Sequence, residues 1–68
     1  LTGDMERLKK LIDYWINHNK SHGQSYFEWT AKAQESNRPD IAEELRTVTE
    51  LLEKADQCLE RIRKSLCS

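Results

Sequence analysis

The sequence predicts an all-α protein: an antiparallel two-helix hairpin that dimerises into a four-helix bundle. Three observations lead there. Apolar residues recur at alternating steps of three and four through two long segments, the spacing of one helix face. A single cluster, Ser36-Asn37-Arg38-Pro39-Asp40, has the composition of a strong break. Both segments also carry a wider apolar arc than one helix–helix seam can cover, which a second pair of helices would bury.

The first helix is expected over about residues 4–36, with Thr2 or Asp4 as its N-terminal cap. Its stripe reads Met5, Leu8, Ile12, Trp15, Asn19, His22, Tyr26, Trp29 and Ala33. Gly23 and its polar neighbours do not reset the phase of that stripe. One unbroken helix of about 48 Å is therefore expected rather than two short ones. The turn is placed at about 37–39, with Asn37 as a left-handed cap and Pro39 in the first turn of the second helix.

The second helix is expected over about 40–67, with the stripe Ile41, Leu45, Val48, Leu52, Ala55, Leu59, Ile62 and Leu66. Asp40, Glu43 and Glu44 open it and Arg61, Arg63 and Lys64 close it, as the helix dipole favours. Apolar residues beside the main stripes give the expected homodimer interface: Leu11, Trp15, Trp29, Leu51 and Ile62.

A chain of 68 residues makes one domain, here spanning 1–68, and a marginal one unless stapled or oligomeric. Cys58 and Cys67 lie nine residues apart on one helix and point to opposite sides, so they cannot pair. Free thiols suit a reducing compartment, and neither a secretory leader nor a membrane-length apolar run is present; a cytoplasmic protein is expected. Eleven basic and 12 acidic residues are spread along the chain for a net charge of −1. No basic face emerges that would track a phosphate backbone, so nucleic acid and membrane surfaces are not expected partners.

The chemistry-bearing feature is the pair His18 and His22, set in the polar run Asn17–Ser25 within an otherwise apolar stripe. Residues four apart stack on one helix face, which lets two imidazoles share one ion. A metal site normally takes three or four ligands. If the hairpin turns near Asn37, residue i is level with about residue 75 − i. By level and side Cys58 is then the first intrachain candidate for a third ligand, with Asp56 and Glu53 behind it. Alternatively the second His18–His22 pair of a dimer completes the shell. Imidazoles with an optional thiolate suit nickel, zinc, copper or cobalt, and nickel or zinc is the expected cofactor.

The structural alternative is a polar layer of Asn19, His22 and Tyr26 that fixes register and oligomer state, with Ala55 opposite leaving room for a ring. Two catalytic histidine motifs are excluded. Asn19 stands where a metalloprotease helix needs its general-base Glu. Trp15 and Asn19, not Glu, stand three residues before the histidines, unlike a di-iron bundle. No nucleophile–base pair, paired carboxylate or phosphate loop accompanies the histidines, so an enzyme is not expected.

The stretch Leu11-Ile12-Asp13-Tyr14-Trp15-Ile16-Asn17-His18-Asn19-Lys20-Ser21-His22, followed by Tyr26-Phe27-Glu28-Trp29 and Ala33, resembles a group of small prokaryotic helical domains. These carry an approximate W-I-x-H-N-x-x-H core, an aromatic-rich segment and a Leu/Glu-rich second helix. Some are similar to, or associated with, CooT-type nickel-handling proteins. The resemblance singles out Trp15, His18, Asn19 and His22 and implies nickel or cobalt handling. Tyr14 stands where relatives often have another His, and Gly23 where they have a helix former. The expected function is a small transition-metal-binding or metal-handling accessory protein. The alternative is an oligomerisation or partner-binding helical module.

Overall fold

The computed structural model describes residues 2–67, apart from the side chain of Thr2. Among the described residues two helices make the architecture, α1 (Thr2–Glu35) and α2 (Pro39–Cys67), packed antiparallel as a rod of 52 × 15 × 14 Å. The cap role expected of Thr2 lies outside the described residues. Asp4 falls in the first turn of α1.

The turn is a Schellman closure. Asn37 adopts φ 63°, its N–H donates to the Gln34 carbonyl at 3.1 Å, and the Arg38 N–H donates to the Ala33 carbonyl at 2.9 Å. Those bonds satisfy carbonyls that the end of a helix leaves without partners, and Asn tolerates the left-handed conformation better than most residues. The Arg38 carbonyl accepts the first bond of α2 from Ala42, and Pro39 begins that helix with its missing N–H at no loss. The Arg38 guanidinium donates twice to Asp40, at 3.1 and 3.0 Å, and holds its carboxyl below the ordinary value. Being lowered in the fold, Asp40 stabilises it at neutral pH, and that contribution fades as pH falls through the folded value. Both groups are exposed, so it is small.

The register follows the expected rule closely. The Asn19 side-chain amide donates to the Asp56 carboxylate at 2.8 Å at mid-length, and Arg63 pairs with Asp13 at 2.6 Å near the open end. The phase of the seam departs from expectation by one residue. On α1 the inward positions are Leu8, Ile12, Ile16, Asn19, Gly23, Tyr26, Thr30 and Ala33. On α2 they are Ala42, Leu45, Thr49, Leu52, Asp56 and Leu59, with Leu66 near the end. Trp15, His22 and Trp29 therefore leave the seam in favour of Ile16, Gly23 and Thr30. Ile41, Val48, Ala55 and Ile62 likewise turn outward.

The physical reason is closeness. Small or hydrogen-bonded residues let the two helices approach, and Gly23 lies under Leu52, whose Cδ2 is 3.7 Å from where a Cβ would stand. The seam threonines satisfy their hydroxyls on the carbonyl four residues back, Thr30 on Tyr26 at 2.7 Å and Thr49 on Leu45 at 2.9 Å. The buried core is correspondingly thin. Among the described residues only Ile12 and Ala42 are fully enclosed.

Gly23 has helical backbone and an ordinary van der Waals gap to its neighbour. Gly23→Ala is expected to stabilise the protein by about 0.5–1 kcal/mol, because Ala loses less backbone entropy in a helix. Thermal melts of the two proteins at equal concentration check it. A lower melting temperature for the Gly23→Ala variant would mean that the Leu52 contact cannot accept a methyl group.

Candidate metal centre

His18 and His22 project from α1 on the flank that also carries Leu11, Trp15 and Trp29, since positions 11, 15, 18, 22 and 29 fall on one side of a helix. Both imidazoles are exposed. Their Nε2 atoms face each other at 2.9 Å, with ring centroids 4.4 Å apart and planes nearly perpendicular at 87°. Without an ion, this contact is an N–H···N hydrogen bond in which one ring donates and the other accepts.

The same separation fits chelation. Two nitrogens bound to one ion at about 2.0–2.1 Å stand about 2.9 Å apart at a right angle and about 3.3 Å apart in a tetrahedron. The two nitrogens already stand at the separation that a shared divalent ion requires, and the rings would turn from facing each other toward the ion.

Aromatic rings brace the pair. Tyr14 stacks on His18 with centroids 5.6 Å apart at 16°, and Tyr26 stacks on His22 at 6.1 Å and 19°. A column of four rings, Tyr14, His18, His22 and Tyr26, thus runs along one side of α1. Tyr14 joins the site beyond the residues that the sequence singles out. Its spacing of four from His18, continued by His22 and Tyr26, was the available signal.

The other expected site residues are distributed differently. Asp56 is engaged by Asn19, and Glu53 lines the groove on the opposite flank with Gly23, Phe27 and Leu52. Cys58 is exposed on α2, where Arg61 donates to its Sγ at 3.1 Å. Among the described residues no group of three or more His, Cys, Asp or Glu side chains converges within the chain. The structure brings His18 and His22 together and does not bring Cys58, Asp56 or Glu53 to them.

The expected Asn19–His22–Tyr26 layer does not form as drawn. Asn19 reaches across the seam to Asp56, and His22 points away from it to stack on Tyr26. Register is pinned by the Asn19–Asp56 bond instead. The remaining interface candidates stay uncovered, Leu11 at 46%, Trp15 at 39%, Trp29 at 57%, Leu51 at 60% and Ile62 at 43% exposure.

Fold and site together define an all-α helical hairpin with a surface histidine pair. The chain belongs to the family described as a domain of unknown function, DUF8180, whose model matches residues 8–66. It is also similar to a protein of Archaeoglobus fulgidus described as an uncharacterized protein. The two are 33% identical over 57 residues, covering 84% of this chain and 90% of the relative. No solved structure matches it. None of the described helices is long and apolar enough to cross a membrane.

Proposed function

We propose that this protein is a transition-metal-binding accessory protein that acts as a cytoplasmic homodimer, with His18 and His22 as its primary ligands. One observation carries the reading: two exposed imidazoles present their Nε2 atoms to each other at 2.9 Å, the spacing of neighbouring ligands on one ion. Imidazole nitrogens suit nickel and zinc, and the resemblance to small helical domains, some of them associated with CooT-type nickel handling, points the same way. Binding, delivery or sensing is the role, rather than catalysis. The partner-binding alternative draws on a separate observation, the row of large apolar side chains left exposed beside the histidines.

Equilibrium dialysis of metal-free protein against micromolar nickel, and separately zinc, tests the reading. Saturable retention of the ion is expected. Protein that retains neither ion would sink the metal reading and leave the partner-binding module.

A further inference from the structure

The exposed flank of α1 is a heptad stripe with a centre of symmetry. Positions 11, 15, 18, 22, 25 and 29 follow steps of four and three that read the same in both directions about residue 20. Leu11 and Trp29 are equidistant from that centre, as are Trp15 and Ser25, and His18 and His22. Residue 20 is also close to the middle of α1, which runs from Thr2 to Glu35. At the same level on α2 stands Ala55, with Val48 and Ile62 seven residues to either side. Val48 is 39% exposed and Ile62 43%, on the flank of α2 that adjoins the histidine flank of α1. Near the turn the two flanks meet directly, where Trp29 and Ile41 line one groove.

We infer that a second copy of this chain covers this face through a twofold axis running across the rod at the level of His18, His22 and Ala55, so that four histidines from two chains share one ion. The inference rests on the metal-binding homodimer proposed above and adds to it the axis of the dimer and the complete ligand set.

Three arguments select this occupant and this axis. The first is area. A compact folded chain of 68 residues is expected to expose about 4,500 Å², whereas this one exposes 5502 Å². The difference is of the order of the 800 Å² that each partner buries in a standard interface.

The second is side-chain allocation. At four adjacent pairs in the two helices the smaller residue faces the seam and the larger faces outward on the same side: Trp15 over Ile16, Trp29 over Thr30, Ile41 over Ala42, Val48 over Thr49. Within the hairpin the small seam residues let the helices approach, and the large outward residues on one side are left for a second pair of helices to cover.

The third is polarity. A twofold that joins a face to its own copy lies in the plane between them, along the rod or across it. Along the rod, α1 of one chain would cover α2 of the other, and the imidazoles would meet the apolar Leu51 flank. Across the rod, α1 covers α1, and the pair at mid-length becomes its own opposite number. Two imidazoles per chain then supply the four ligands that no cluster among the described residues of one chain provides.

The test combines a symmetric cross-link with stoichiometry. On a Cys58→Ser, Cys67→Ser background, Ala55→Cys places a thiol on the axis against its copy, while Thr47→Cys places one on the outer side of α2. Under mild oxidation Ala55→Cys is expected to become a disulfide dimer almost completely and Thr47→Cys to remain uncross-linked. Native mass spectra of the unsubstituted protein with nickel are expected to show one ion per two chains, a readout that needs no variant to fold. One ion per chain without the Ala55→Cys cross-link would overturn the shared site and leave the metal reading standing. A cross-linked dimer that takes up no ion would overturn the metal reading and the shared site with it.

Discussion

His22→Ala is expected to abolish nickel or zinc uptake at micromolar ion while leaving both helices formed, and His18→Ala is expected to do the same. Each variant leaves a single imidazole per chain where two Nε2 atoms stand 2.9 Å apart, so the chelating pair within each chain is lost and a shared ion keeps two of its four ligands. A loss of at least about 100-fold in affinity, about 2.7 kcal/mol, is the expected scale. Both rings are exposed, and substitutions at such positions usually change stability by less than about 0.5 kcal/mol. Dialysis gives the uptake and circular dichroism the helix content. A variant that still retains the ion would remove its histidine from the ligand set. A variant that loses helix along with uptake would show that the ring column supports the fold.

Ile12→Ala is the largest expected stability change. Ile12 is 0% exposed and is the one large side chain among the described residues that the hairpin encloses completely. Truncating such a residue costs about 2–5 kcal/mol through lost transfer energy and the cavity left behind. A domain of this length is typically stable by about 3–10 kcal/mol, so the variant is expected to lose a large share of its stability. Met5, on the same helix at 46% exposure, sets the comparison: Met5→Ala is expected to cost less than about 1 kcal/mol. Urea unfolding at one fixed protein concentration measures both, since association would shift the midpoints. Equal midpoints for the two variants would mean that the enclosure of Ile12 contributes little and that stability resides in the association of chains.

The hairpin itself was legible because its signals are local. Asn37 and Pro39 mark the turn by backbone chemistry, and a turn at a known place sets the register that Asn19–Asp56 and Asp13–Arg63 then display. The histidine pair was legible from its spacing alone. The seam was not. Trp15 and Ile16, His22 and Gly23, and Val48 and Thr49 are neighbours, and either member of each pair continues a heptad. Hydropathy favours Trp and Val, whereas close approach of two helices favours Gly and Thr, and close approach decided the outcome. The level of Asp56 on α2 follows from the place of the turn. That Asn19 would claim it depends on the one-residue rotation that the sequence leaves open.

The position of the turn also implies an order in time. The bond from Arg38 to the Ala33 carbonyl closes a loop of only a few residues, and each further contact along the seam adds a few more on either side. Loop-closure entropy rises slowly with length once the first loop is shut. Asn19–Asp56, separated by 37 residues, is reached partway, and Asp13–Arg63 comes after it. The chain therefore closes like a zipper that starts at Asn37 and passes the histidines at mid-travel.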